Sequence, residues 1–382
     1  MEVYLDNSST TRPYREVVDA MADAMYNNFG NPSSLHRRGI EAEKLIKSAR
    51  TAVAEAIKAD PEEIFFTSGG TEADNLCIRG AAAANRGRHI ISTQVEHPAV
   101  LNTLESLKNS GFVIEYTPVN KNGEVDIERY RKLLRNDTIL VSAMLVNNET
   151  GTIQPVEEMC RLLKSVNPHA VFHIDAVQAL GKIPFTASST GADMISLSSH
   201  KIHGPKGVGA IYVRKGTRIS PILFGGGQQG NLRPGTENVH GIYGFGLATK
   251  IATENLCEKM TKVRFLRNRL KDGILREISD VSVNTPEYSA PHILNVSFRG
   301  TRSEVLLHTL ENDGIYVSSG SACSSHKKGP SYVMTAIGLD PQLIDGTLRF
   351  SLSEFNTEEE IDYTLEKLKV AVASLRKLMK FK

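Results

Sequence analysis

Residues 193–209 read DMISLSSHKIHGPKGVG. Met194, Ile195 and Leu197 make a short apolar-alternating run with strand character. It delivers Ser196, Ser198, Ser199, His200 and Lys201 just before glycine and proline break the pattern. In open α/β sheets, ligands collect beyond the carboxyl ends of the strands. A lysine standing there among hydroxyls and an imidazole is therefore a candidate for covalent chemistry on a carbonyl. Lys206, between Pro205 and Gly207 beyond the strand end, reads as structural.

Working outward, the same strand, loop and helix order repeats from Glu62. IFF (64–66) precedes SGGTEAD and a helix from Asn75 to Ala84, and HIIST (89–93) precedes VEHPAV and another helix. VIEYTPV (113–119) is a strand, ILVSAMLVNNETG places a long buried strand before Asn147, and AVFHID (170–175) precedes DAVQALG. Strands alternating with helices predict an α/β fold, a mostly parallel sheet with helices on both faces. Upstream lie a short strand (Val3, Tyr4, Leu5), a polar turn and two packing helices. The first of these helices carries Val17, Val18, Met21, Ala24 and Met25 on one face.

Downstream, FGGGQQGNLRPG is glycine-rich, and a helical stretch from Thr236 to about Ser279 breaks near Glu254. The strands HILNVSF, IYVSS and TLRFS and the helix VLLHTL then predict a smaller α+β domain. Its last helix has Thr357 as N-cap and Glu360 in the capping-box position. The expected division is a large domain over 15–254 and a small one built from 1–14 and 255–382.

The chain has 382 residues, 40% hydrophobic and 23% charged, with a formal net charge of +2. That is ordinary globular usage, and nothing favours a nucleic-acid or membrane surface. No apolar run approaches the roughly 18 residues that a membrane helix needs. The four cysteines, Cys77, Cys160, Cys257 and Cys323, are unclustered and lack CxxC spacing, which argues against disulfides or a zinc site and for a reducing, cytoplasmic setting. His173, His200, His203 and Cys323 lack recognisable ligand spacing, so no metal is expected.

Several residues could carry chemistry around Lys201. Asp175 ends an apolar strand, where a carboxylate is costly to bury unless a cation or donor faces it. A pyridinium N–H is such a donor, and pyridoxal phosphate enzymes combine a lysine for the aldehyde with an acid at the ring nitrogen. The plainer alternative is a helix cap at Asp175 and a solvated Lys201. Ser68, Gly69, Gly70 and Thr71 open a helix after a strand, so free N–H groups face one point suited to phosphate, and Ser198 and His200 could add donors. His97 could stack on a planar cofactor or simply cap its helix. Asn148 and Gln178 are amides near strand ends, able to hold a phenolate oxygen or a substrate carboxylate. Arg349 points away from Leu348 and Phe350 and could fork onto a carboxylate or form a cross-strand salt bridge. Cys323, in SSGSACSSHKKGPS, has small flanks and nearby His326, Lys327 and Lys328, which favour an accessible thiolate. The other three cysteines read as packing.

YLDNSSTT, FGNPSSLH, FFTSGGTEADN, VEHPAV, VNNETGTIQP, HIDAVQALGKIP, SSHKIHGPKGVGAIYVRKG, RPGTEN, SSGSACSS and TLRFSLSEFNTEEEID together resemble the cysteine desulfurases of the NifS/IscS type, within the class V aminotransferases. The resemblance spans essentially the whole chain. It implies a fold-type I pyridoxal 5'-phosphate enzyme, a homodimer that converts L-cysteine to L-alanine. It implies Lys201 as the residue linked to the cofactor, Asp175 at the pyridine nitrogen and His97 on the ring. Gln178 and Asn148 would lie at the phenolic oxygen or the substrate, and Gly70, Thr71, Ser198 and His200 around the phosphate. Thr236 would reach the phosphate of the neighbouring subunit, Arg349 would bind the substrate carboxylate, and Cys323 would carry a persulfide. A sulfur-acceptor protein is implied as partner, an iron-sulfur scaffold or a tRNA-thiolation enzyme, with no direct contact to nucleic acid or membrane. A selenocysteine lyase or another class V enzyme would share the cofactor site, and a sulfur-relay scaffold would depend on partners more than turnover. Ser9 stands where alanine is common in YLDNAATT and is expected to have no consequence. The HKKG after Cys323 matches no assigned motif.

Overall fold

A computed structural model describes residues 1–319 and 329–380, so Cys323 lies outside the described residues. The strands are β1 (Val3–Tyr4), β2 (Ile64–Thr67), β3 (His89–Thr93), β4 (Val113–Thr117), β5 (Thr138–Met144), β6 (Val171–Asp175), β7 (Met194–Ser198), β8 (Gly209–Val213), β9 (Val281–Val283), β10 (Ile293–Phe298), β11 (Ile315–Tyr316), β12 (Ser318–Ser319) and β13 (Thr347–Ser351). Seven of them form one sheet in the order β2-β8-β7-β6-β5-β3-β4. Only β8 runs against its neighbours in that sheet. β3, β5, β6, β7 and β8 are buried along their whole length, which is why they read as continuous apolar runs rather than as alternating patterns.

Register puts the chemistry at one end of this sheet. Met144 pairs with Asp175 and Asp175 with Ser196, so β5 and β6 finish level and β7 runs two residues further. Their loops therefore emerge side by side.

A second sheet has the order β12-β13-β10-β9 and is antiparallel. Helices Leu256–Glu277 and Glu358–Lys380 bring Leu266, Leu270, Ile361 and Leu368 into the core beside it, where Val3 and Leu5 are also buried. β1 pairs in parallel with β11, Val3 opposite Ile315. From there the chain crosses to the large sheet as a strap. Asn7 N donates to Ser351 O (3.1 Å), Thr11 N to His200 O (3.0 Å) and Tyr14 N to His203 O (2.9 Å).

The expected capping box is present, with Glu360 N donating to Thr357 Oγ1 and Thr357 N to Glu360 Oε2. The helix break falls at Glu254, followed by Asn255 at φ 52°. Other expectations need correction. The helix expected from Asn75 begins at Gly70, because the polar GTEAD turn is already helical. DAVQALG forms turns rather than a regular helix, and IYVSS divides between two sheets. Val18 and Met25 are exposed, since only Val17 and Ala24 of the first helix, Arg15–Asn27, turn fully inward. Cys257, expected to pack, is exposed at the start of its helix.

Candidate active site

A cavity of about 210 Å³ opens at the carboxyl ends of these strands. Gly70, Thr71, His97, Asn148, Asp175, Gln178, Ser198, His200, Lys201 and Arg349 all line it. Thr236 is exposed and does not line it within this chain.

Each side chain arrives by its own route. Lys201 closes a short 3-10 turn after β7, and its Nζ donates to Ser8 O (2.6 Å) and Ser9 O (2.7 Å) of the strap. Asp175 ends β6 and accepts from Val177 N at 2.9 Å. Burial pushes its acid up to about 6, while the Val177 N–H and Lys201 pull it down. His97 caps the helix Pro98–Lys108 by accepting from Ala99 N (3.1 Å). Burial, helped by the Lys201 charge, brings its imidazole down to about 4, so it is neutral at ordinary pH. His200 is lowered to about 4 by burial and by the same lysine. The helix Gly70–Ala84 aims its first turn at the cavity. A Cβ on Gly70 would sit 3.0 Å from Val177 Cγ2 and 3.5 Å from Ser198 Cβ, so a side chain there would crowd the approach.

Arg349 arrives from β13, 3% exposed. Its Nη1 donates to Asn148 O (2.8 Å), and Nη2 donates to Asp6 Oδ1 (2.9 Å) and to Ser9 Oγ (2.7 Å). Ser9 Oγ in turn donates to Asp6 Oδ1 at 2.8 Å. The expectation that Ser9 has no consequence is therefore corrected: its hydroxyl braces the arginine, a contact that alanine cannot make.

Ser8, Ser9 and Asp74 also line the cavity and were missed from sequence. The strap serines read as a turn, and their partners lie more than 190 residues away. Asp74 sits one turn into its helix and is 1% exposed. Burial first, and Asp175 second, push its acid well above the carboxylate range. Its position one turn after Gly70, on the same helix face, was the available signal.

Among the described residues, five buried polar atoms on the lining have no hydrogen-bond partner: Ser8 Oγ, Asp74 Oδ1, Asn148 Oδ1, Ser198 Oγ and Arg349 Nε. Buried polar groups are normally satisfied, so this concentration marks a place built to receive a polar ligand. Donors at Ser198 and the helix start suit a phosphate, and the Asp175 carboxyl suits a ring N–H. The residues present fit pyridoxal 5'-phosphate.

Two further carboxyls next to the site are wholly buried. Glu96 Oε1 accepts from Thr93 Oγ1 (2.5 Å) and Met144 N (3.0 Å), and burial pushes its acid up to about 8. Glu149 accepts from Ser331 Oγ (2.7 Å) and is pushed up by burial to about 7. A carboxyl raised by folding stabilises the fold fully below its unfolded pKa, and that contribution is lost as pH rises through the folded value. Thermal melting of the cofactor-free protein is therefore expected to lose a contribution between about pH 5 and pH 8. Glu96→Gln should flatten that fall; a melting profile unchanged by the substitution would contradict the assignment.

A mostly parallel sheet with a lysine and an aspartate at the ends of adjacent strands defines a fold-type I pyridoxal phosphate enzyme. The aminotransferase class-V family model matches residues 3–364. A cysteine desulfurase IscS from Dictyoglomus turgidum is 44% identical over 384 aligned positions, covering 100% of this chain and 97% of that protein. One from Methanosarcina thermophila is 45% identical, covering 98% of this chain and 93% of its own. Among solved structures, a NifS-like protein superposes with a TM-score of 0.93 at 42% identity, covering 98% of this chain and 100% of that one. SspA in complex with cysteine gives 0.81 at 31% identity, covering 93% and 100%. The chain belongs to the class V aminotransferase family, among the cysteine desulfurases of the NifS/IscS type.

Proposed function

We propose that the protein converts L-cysteine to L-alanine and places the sulfur as a persulfide on Cys323, from which an acceptor protein collects it. The observation that carries this reading is the set of unpartnered polar atoms on a cavity that also holds Lys201, Asp175 and Arg349. The solved relative SspA with cysteine bound supports the substrate class. Stoichiometric alanine from L-cysteine is the experiment that tests it.

Pyridoxal 5'-phosphate, when bound, supplies an aldehyde for amino groups and an aromatic ring able to take up electrons from the substrate Cα. Gly70, Thr71, Ser198 and His200 would hold its phosphate, Asp175 its ring nitrogen, His97 its face, and Gln178 and Asn148 its phenolic side. Lys201 would be the residue linked to it, and once the substrate amine has taken its place the freed Nζ would accept the proton from Cα. Arg349 holds the substrate carboxylate. The Cys323 thiolate attacks the substrate sulfur, so an S–S bond forms and the Cβ–S bond breaks. The Cβ–S bonding pair stays with carbon and is protonated. L-cysteine and the Cys323 thiol thus become L-alanine and the Cys323 persulfide, with no external oxidant.

The brace on Arg349 gives a substrate-side test. Ser9→Ala removes a hydrogen bond to a charged group, an interaction of about 1.5 kcal/mol or more. It is expected to raise KM for L-cysteine about tenfold with kcat little changed. An unchanged KM, or a loss confined to kcat, would argue against Arg349 as the carboxylate site.

Thr236 joins the site only from a second copy of the chain. Apolar side chains exposed among the described residues, Tyr26, Phe29, Leu35 and Phe224, support a homodimer. Separate cores, one including Val17 and Ile46 and another including Val3 and Leu5, support a cofactor-binding unit over 15–254 and a small unit from 1–14 and 255–382, with Tyr14 packed on the larger core at the boundary. No helix among the described residues is long and apolar enough to cross a membrane. A cytoplasmic setting, with an iron-sulfur scaffold or a tRNA-thiolation enzyme as acceptor, completes the proposal.

A further inference from the structure

Behind the cavity lies a buried amine that the reaction above does not use. Lys182 is 7% exposed, and its Nζ donates to Gln178 Oε1 at 3.1 Å. His292, 1% exposed, brings Nε2 to 3.4 Å from the same oxygen. On its other side Gln178 Nε2 donates to Ser8 O (2.9 Å), the carbonyl that also accepts from Lys201. An amide can be turned over only if its partners allow it. Reversing this one would set its NH2 against the Lys182 amine and its oxygen against the Ser8 carbonyl. The carbonyl end is thus committed away from the cavity, and the second N–H of Nε2 remains for a ligand.

We propose that Lys182 is a positioning residue: it locks the Gln178 amide so that an N–H, not a carbonyl, faces the phenolate oxygen of the cofactor. This rests on the cofactor reading given above. Among the described residues, the titratable groups around Lys182 include Lys201, Arg349, His292, His203, His200, Tyr14 and Glu354. Burial, then the charges of Lys201 and Arg349, pull its amine well below the usual lysine range. His292 is likewise held down, first by burial and then by Lys182.

A donor on the phenolate favours the form in which the lysine-linked cofactor has lost its proton. Losing that donor raises the pH of this proton loss, which is read from the visible absorbance of the loaded protein without substrate. Lys182→Met keeps the stem and removes the donor, and is expected to shift the titration upward by about 0.5 to 1 unit. Gln178→Leu should give a similar shift, and the double variant no more than either alone, because both remove one interaction. Lys182→Gln, which retains a donor, should titrate like the parent, and it serves if the Met variant melts early. A Lys182→Met titration at the parental pH, or a shift that adds to that of Gln178→Leu, would overturn the proposal. A parent protein that takes up no pyridoxal 5'-phosphate would instead overturn the cofactor reading and leave the amide lock unassigned.

Discussion

Lys201→Ala is expected to yield a folded protein that stays colourless with pyridoxal 5'-phosphate and forms no measurable alanine from L-cysteine. Two functions leave with one side chain: the amine linked to the cofactor aldehyde and the base that takes the Cα proton. General-base action alone is worth about 10² to 10⁴ in rate, and the lost linkage adds to it. The fold should tolerate the change. Lys201 Nζ donates to two strap carbonyls, Ser8 O and Ser9 O, and without it Gln178 Nε2 still donates to Ser8 O. The strap also keeps its backbone bonds from Thr11 to His200 and from Tyr14 to His203. Absorbance after reconstitution and an alanine assay provide the check. A yellow variant that still turned over would move the linkage to another lysine, Lys206 or Lys182.

Cys323→Ser separates the two halves of the chemistry. It should bind pyridoxal 5'-phosphate and L-cysteine as the parent does, because the cavity-lining residues named above are untouched, yet transfer no sulfur. A serine hydroxyl is a far poorer nucleophile toward sulfur than a thiolate, so persulfide formation should fall by at least about 10³. The expected signature is a protein that keeps its colour and changes its spectrum on adding L-cysteine, with no persulfide and no sustained alanine production. Full turnover by this variant would remove Cys323 from the reaction.

The strands that end in chemistry were legible because each apolar run stops on a polar residue: MISLS before His200 and Lys201, VFHID at Asp175, TSGG before Thr71. Local pattern carries that much, since burial on both faces demands apolar residues and only a site allows the exception. Direction within the sheet was less legible. GAIYV reads like its neighbours but runs antiparallel, and no periodicity records which way a fully buried strand points. The strap was harder still. Ser8 and Ser9 look like a polar turn, and their meaning comes from Lys201 and Arg349, which tertiary folding brings to them. Val18 and Met25 fit an apolar helix face in projection, but among the described residues they stay exposed.

The central claim is that sulfur leaves L-cysteine onto Cys323 at a lysine-linked cofactor site. The most direct measurement adds L-cysteine to the yellow purified protein, then maps the modified thiol by mass spectrometry while alanine is counted. The expected result is one alanine per protomer in the first turnover and one added sulfur on the peptide containing Cys323. Alanine formed with the added sulfur on Cys257, or with no sulfur on any cysteine, would contradict it.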